Sequence, residues 1–394
     1  MRIIHINDKL SISGGVEVYI SQVQKLLNTR GIECDWVAIQ RNGKHVTIES
    51  TNPRLDWSGA ACDLLSSPLG EVGSVGATVL HVHSLSEPRV LEALFKITPV
   101  VRTIHEPRLF CPGQGKFWAG PELACNIPFG AHCLVDAYTK RCCNRHPKRL
   151  LRQFANTRYE VKSASAQYAA LLANSTYTQS EALKVGISPV RLELLHYFTP
   201  TMETPASAET SGTRLLYIGR LSRTKGVHYM LSAFKQVLAK NSAVVLDLIG
   251  SGHDESFFRN QAKALGVADA VNFLGWGGRV EIDQAIAASD IVLFPSVYPE
   301  AFGIVGIEAM MRGKPVVGFD VGGVKDWLRH EETGLLVPVK DTQAFADAVI
   351  RLLDDDELRI RMGKRAREVA LAEFSEEVHI RKLIQIYERA LDAN

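Results

Sequence analysis

Glu300 and Glu308 flank seven residues, Ala301 to Ile307, directly after the short apolar run Ile291 to Pro295. An ionised carboxylate accepts hydrogen bonds from two hydroxyls at once, so two of them around a glycine-containing loop suit a hydroxyl-rich ligand. Gly303 and Gly306 let a helix begin close to that ligand, where its free N–H groups and the positive end of its dipole favour an anion such as phosphate. Glu300 is expected in the loop before this helix and Glu308 on the helix itself. A second segment, YIGRLSRTKGVHYML from Tyr217, sets Arg220 and Lys225 between a strand and a helix, with Gly219 and Gly226 beside them. Arg is a planar fork and Lys a mobile point charge, and together they match a diphosphate. Alone, the two cations fit a solvated loop with a surface ion pair better than a ligand site. The same balance holds for His105, which ends an apolar run and by itself fits a hydrogen-bonded structural histidine.

Such loops need a scaffold that presents them together. Arg2 to Asn7 alternates apolar and polar residues as a strand does, the Gly14-Gly15 turn follows, and Val16, Tyr19, Val23, Leu26 and Leu27 then recur at helical spacing. Short apolar runs at CDWVAI, TVLHVH, PVVRTIH, LLAN and LELL alternate with helical stretches, which implies a mostly parallel sheet covered by helices. Residues 199–213, TPTMETPASAETSGT, have almost nothing to bury and read as a linker. After it the alternation restarts at RLLYIG and runs through AVVLDLIG, VNFLG, IVLFP, PVVGF and GLLV; the last forty residues are helical by periodicity. The reading is two doubly wound, Rossmann-like α/β domains facing a central cleft, the place where ligands of open α/β sheets bind.

Composition agrees with this scale. At 394 residues the chain exceeds what one hydrophobic core usually serves. With 46% hydrophobic and 22% charged residues it is ordinary for a globular protein, and 45 Lys and Arg against 43 Asp and Glu give no bulk attraction to nucleic acid. No apolar run reaches the roughly 18 residues that span a bilayer, and the opening MRIIHIND lacks a signal peptide's apolar region. The expected location is cytoplasmic, peripheral at the inner membrane face.

Two further features stand out. Of seven cysteines, Cys34 and Cys62 stand alone, while Cys111, Cys125, Cys133, Cys142 and Cys143 crowd one Gly- and Pro-rich stretch after His105. Cys111, Cys125, Cys133 and Cys142 or Cys143 suit a structural zinc, but without a C-x-x-C pair, free thiols and disulfides stay open. From Lys140 to Lys162, eight Lys and Arg stand against one acid, Glu160, with Leu150, Leu151 and Phe154 interleaved. That pattern fits either a face for anionic lipid and lipid-linked acceptors or a solvated helix.

Together the ordered set GGVEVY (14–19), TIHE (103–106), GRLSRTKG (219–226), LIGSG (248–252), EAFGIVGIEAM (300–310) and VGGVKDW (321–327) resembles the retaining glycosyltransferases of family four, glycosyl transferases group 1. The resemblance covers nearly the whole chain and implies the GT-B fold. Glu106 stands where the family often has Asp, and Lys325-Asp326 where Pro-Glu is common. The resemblance implies an N-terminal acceptor domain over 1–198, with 375–394 packing back on it, and a nucleotide-sugar domain over 199–374. By the same resemblance Arg220 and Lys225 hold the donor diphosphate beside Gly219, and Glu308 takes the ribose hydroxyls. Glu300 takes the sugar hydroxyls beside Phe302, Gly303 and Ile304; Gly15 approaches the phosphates, and His105 lies against the transferred sugar.

The implied activity is transfer, with retention, of a hexose from a UDP- or GDP-sugar to a hydroxyl of a glycan or lipid-linked acceptor, in polysaccharide or glycoconjugate synthesis, with no cofactor required for catalysis. A nucleotide-sugar epimerase of the same fold and a non-catalytic nucleotide-sugar-binding protein are the alternatives. A glycan phosphorylase lacks support, because no lysine stands out as a pyridoxal phosphate site.

Overall fold

Most of the apolar runs form strands that are buried on both faces, while the edge strand Val271–Gly275 keeps one side exposed. A computed structural model describes residues 1–11, 14–42, 45–51, 77–201 and 212–392. Cys62 and most of the expected linker, 202–211, lie outside the described residues. The chain divides into two compact units, Met1–Gly120 with Cys125–His196 and His379–Asn394, and Pro121–Ala124 with Tyr197–Val378.

In the first unit seven strands pair in the order His45–Ser50, Glu33–Asn42, Arg2–Asn7, Thr78–Val82, Val100–Ile104, Ala170–Ala173, Leu192–Leu194. The first pair is antiparallel and the rest parallel. Register sets Ile4 beside Leu80 and Ile6 beside Val82, and His5 beside His81 on the opposite face. The apolar face carries Ile4, Ile6, Leu80, Val82, Val100 and Ile104 in one buried cluster with Val161 and Tyr168. The other face is lined by histidines, a departure from the usual all-apolar parallel strand.

Into the apolar face intrudes Arg102, buried and paired with Glu160 of the helix Pro147–Lys162 at 2.7 Å. Its guanidinium also donates to the carbonyl of Leu85 at 2.7 Å and to Tyr168 Oη at 3.0 Å. A buried pair survives only when hydrogen bonds replace the lost hydration; here they do so at Arg102 Nη1 and at both Glu160 oxygens, while Arg102 Nε is buried without a partner. The same contact changes the reading of the basic segment. Its one acid points inward, so the exposed side of this helix is purely cationic: Lys148, Arg149, Arg152, Arg158 and Lys162. Leu150 is buried, and Phe154 packs on Phe129 with ring centroids 4.8 Å apart, while Leu151 faces outward.

In the second unit six parallel strands pair in the order Val271–Gly275, Val245–Ile249, Arg214–Ile218, Ile291–Phe294, Val316–Phe319, Gly334–Val337. By position along the chain this is 3-2-1-4-5-6, the doubly wound order, whose direction reverses between Arg214–Ile218 and Ile291–Phe294. Removing one partner of a buried ion pair leaves an uncompensated charge, so Glu160→Gln is expected to cost about 3 kcal/mol. Replacing both partners (Arg102→Met with Glu160→Leu) should recover much of that loss, measured by urea unfolding of the full chain.

Candidate functional site

At the strand-order reversal of the second unit, two loops bring the expected residues together. One follows Arg214–Ile218 and holds Gly219, Arg220 and the short 3-10 turn Arg223–Lys225 before the helix Val227–Lys240. The other follows Ile291–Phe294 and carries Glu300 into the helix Ile304–Met311. Lys225 Nζ donates to Glu300 Oε1 at 2.5 Å, and Ser296 Oγ donates to the same oxygen at 2.6 Å. Lys225 is 32% exposed and Glu300 12%, so the pair sits at the surface of the unit with the carboxylate held from below. Arg220 is exposed and makes no ion pair among the described residues.

The VGGVKDW segment explains why the Glu300 loop keeps its path. The Glu300 carbonyl accepts a 2.8 Å bond from the N–H of Gly323. Gly322 lies at φ +50°, and a side chain there would collide with that same carbonyl. Trp327 Nε1 donates to the carbonyl of Phe302 at 2.7 Å, beneath the start of the helix. Phe302 itself is buried, its ring against Tyr197 and Phe374. The glycines expected to admit a ligand also have packing duties. Gly303, at φ +100°, has the rings of Phe294 and Trp327 where a Cβ would stand, and Gly306 has Trp327. The helix N-terminus at Gly303–Ile304 is therefore positioned by the indole as well as by any ligand.

Glu308 is on the helix as expected, and its ion-pair partner differs from Glu300's. Its carboxylate accepts from Arg279 Nη1, and Arg279 also reaches Asp283 at 3.1 Å. Ser296, Arg279 and Trp327 are residues that spacing did not single out. Ser296 follows a strand as Lys225 and Glu300 do, which is the one signal that marks it.

The first unit holds the other expected residues. Gly15 opens the helix Gly15–Asn28, and a Cβ there would meet nothing within 4 Å, so its surface is open. His105 is buried, and its Nε2 lies 2.7 Å from Nδ1 of His83. His83 Nε2 in turn is 2.8 Å from His5 Nδ1. His81 bonds Tyr387 Oη at 2.6 Å and Thr103 Oγ1 at 2.8 Å, and His379 bonds Tyr19 Oη at 3.0 Å. His105 is thus the end of a buried imidazole chain under the helices Gly15–Asn28 and Glu376–Asp392, a network invisible to spacing alone. Nitrogens of His5, His81 and His83 lie within 4.8 Å of one another, as metal ligands would. Yet both His81 nitrogens and all but one nitrogen of the His5–His83 pair are engaged as above, and His5 Nε2 is the buried atom left unpartnered.

None of the clustered cysteines, nor Cys34, is joined in a disulfide. Cys142 and Cys143 sulfurs are 3.7 Å apart, and Cys133 Sγ is 3.5 Å from His132 Nε2. Burial pushes the Cys111 thiol up, against N–H groups of Lys116, Gly113 and Gly115 that favour its thiolate.

Burial holds His5 and His105 down to about 3 and His379 down to about 4, and it pushes His81 and His83 well below their ordinary value. Below the ordinary value of about 6.5 the unfolded chain protonates these rings while the folded chain does not, so stability is complete above that pH and falls as pH drops toward 4. Each ring adds a slope of up to ~1.4 kcal/mol per pH unit. Urea unfolding at pH 7 and pH 5 should show the loss, and His379→Gln should reduce it; a flat profile contradicts the neutral network.

Residues 203–369 match the family described as glycosyl transferases group 1. Among curated proteins, the chain is 29% identical over 280 residues to the alpha-D-kanosaminyltransferase of Streptomyces kanamyceticus, covering 67% of this chain and 72% of that one. It is 36% identical over 174 residues to the N-acetyl-alpha-D-glucosaminyl L-malate synthase of Bacillus anthracis, covering 44% of each. Apart from the kanosaminyltransferase, the matches named among curated relatives span less than half of those proteins' length. Among solved structures, Anabaena Alr3699/HepE in complex with UDP and glucose superposes with a TM-score of 0.66 at 18% identity, covering 98% of both chains. That likeness is one of fold, and the fold is GT-B.

Proposed function

We propose that this chain, whose residues 203–369 match glycosyl transferases group 1, is a retaining glycosyltransferase that moves a sugar from a nucleotide diphosphate to an acceptor hydroxyl. The observation that carries this reading is the Lys225–Glu300 pair with exposed Arg220 on the same loop as Lys225, at the strand-order reversal of a doubly wound sheet. In the ligand-free protein the two charges neutralise each other. With donor bound, Lys225 and Arg220 take the diphosphate, and Glu300, held by Ser296, takes sugar hydroxyls. Glu308 is read as the acceptor of ribose hydroxyls, its carboxylate oriented by Arg279.

Transfer breaks the bond between the anomeric carbon and the diphosphate oxygen, and the electron pair stays on that oxygen. The acceptor hydroxyl attacks the anomeric carbon from the same face, and its proton passes to the departing phosphate. Arg220, Lys225 and the helix N-terminus at Gly303 stabilise the charge that develops on the leaving group, a preorganised arrangement and commonly the largest catalytic contribution. UDP stands first among donor bases because the Anabaena protein of this fold was solved with it.

Lys225→Ala and Glu300→Ala should each lower kcat by roughly 10²- to 10³-fold with the fold retained. Unchanged turnover overturns the site assignment, and conversion of donor without acceptor turns the reading to an epimerase. Among UDP-, GDP- and ADP-sugars, the true donor class is the one that raises the unfolding temperature most, since a ligand of the folded state stabilises it.

We further infer that the cationic side of Pro147–Lys162 meets anionic lipid. What supports this is the inward-turned Glu160, together with Leu151 at 58% and Val135 at 63% exposure on the neighbouring helices. No helix among the described residues is long and apolar enough to cross a membrane. Co-sedimentation with phosphatidylglycerol vesicles should exceed that with phosphatidylcholine, and Lys148→Glu with Arg149→Glu should weaken it roughly tenfold or more. Equal recovery with both lipids removes the inference.

A further inference from the structure

The transferase reading gives no task to the clustered cysteines, and the fold gathers them around a single turn. The N–H groups of Gly113, Gly115 and Lys116 all reach the sulfur of Cys111. Gln114 and Lys116, at φ +65° and +49°, bend the backbone around that sulfur in the left-handed region that side chains usually avoid. Gly113 is required in the same turn, because a Cβ there would lie 2.1 Å from the Cys142 carbonyl oxygen and 3.0 Å from Cys143 Sγ. The Cys125 N–H donates to the carbonyl of Lys116 at 2.6 Å, which sets Cys125 at the other end of the turn. Cys133, in the first turn of the helix His132–Thr139, accepts from the N–H of Gly130 and lies within electrostatic reach of Cys111, Cys125 and Cys142. Cys143 lies within the same reach of Cys142, Cys111 and Cys133. Sulfurs from three stretches of chain thus converge on residues 113–116.

Three N–H donors on one sulfur suit a thiolate or a thiolate bound to a cation, since a disulfide sulfur is a weak acceptor. Thiolates brought together repel one another unless a cation neutralises them. The ammonium of Lys116 contributes its field, but its bonds go to Glu181 at 2.8 Å and to the carbonyl of Ile127 at 2.5 Å. All five cysteines are half-buried, so an ion can enter from solvent. The segment also has little core of its own. Between Cys111 and His146 the buried hydrophobic side chains are Phe117 and Ala137, while Ile127, Val135 and Tyr138 are exposed. A stretch with so few apolar contacts is the kind that a structural metal holds together.

We propose that Cys111, Cys125, Cys133 and one sulfur of the Cys142–Cys143 pair bind a structural zinc ion. Four thiolates close the tetrahedral shell, so the metal takes no part in sugar transfer, and the site stands or falls independently of the donor and acceptor readings. Sulfurs in such a set are about 3.8 Å apart, given Zn–S bonds of about 2.3 Å. Rotation of the half-buried Cys125 and Cys133 side chains about their Cα–Cβ bonds brings them to that spacing. Each thiol that binds releases its proton to solvent, so affinity falls with pH. The ion pins the stretch that follows His105 and leads into the basic helix Pro147–Lys162.

The test is metal analysis of the full chain, purified without added zinc or chelator, by plasma mass spectrometry. One zinc per chain is expected. Cys125→Ser, Cys133→Ser and the double variant Cys142→Ser with Cys143→Ser should each reduce zinc content roughly tenfold, whereas Cys34→Ala should leave it unchanged. A second measurement needs no variant to fold: exchange of the zinc for Co²⁺ in the intact chain should give thiolate-to-cobalt charge-transfer bands and a tetrahedral d–d spectrum. Chelation should lower the unfolding temperature and zinc should restore it. Substoichiometric metal even after zinc is supplied, iron in its place, cobalt bound without thiolate bands, or a disulfide among these cysteines in the unreduced chain overturns the proposal. Zinc retained by the cysteine variants places it elsewhere, as at His5, His81 and His83, and overturns it equally.

Discussion

The position of the Glu300 carboxylate depends on contacts that do not involve a ligand. Lys225 and Ser296 hold its Oε1, and the Gly322–Gly323 turn holds its backbone carbonyl. Trp327, from the same segment, fills the space left by Gly306 and bonds the carbonyl of Phe302. A loop at the end of a strand is ordinarily the mobile part of an α/β unit. Here it is tied at three points to loops that follow other strands, so the charge and the helix N-terminus behind it are preorganised before any sugar arrives.

The first unit meets a different constraint. A mostly parallel sheet is covered on both faces, so polar groups on either face must find partners inside. On the apolar face the solution is one charged pair, Arg102 with Glu160, which Leu85 and Tyr168 satisfy except at Arg102 Nε. On the opposite face it is a chain of neutral imidazoles and phenols running from His5 through His83 to His105, with His81, His379, Tyr19 and Tyr387 beside it. The two solutions have opposite consequences outside. Turning Glu160 inward strips the helix surface of its one negative charge, whereas the histidines keep their protons off and add no field to the strand ends nearby.

Strand and helix periodicity made both α/β units legible, since strands buried on both faces leave short apolar runs that loops do not imitate. Glu300, Arg220 and Lys225 stood out for a related reason: they lie in the loops that follow strand ends, where open sheets bind ligands. What spacing could not show is who touches whom across long separations. Lys225 and Glu300 are 75 positions apart, and His81 and Tyr387 are 306 apart. Gly303 and Gly306 looked like openings for a ligand, and the indole of Trp327 occupies that space.

The sequence by itself determined the class of fold, the order of its elements and the chemical types at each loop, because those follow from local periodicity and from the few residues that suit phosphate and hydroxyls. Tertiary structure alone decided that Glu160 faces inward and that His105 joins a buried imidazole chain. Those outcomes depend on strand register and on helix rotation over the sheet, and register is set by the packing of the whole face rather than by any one segment.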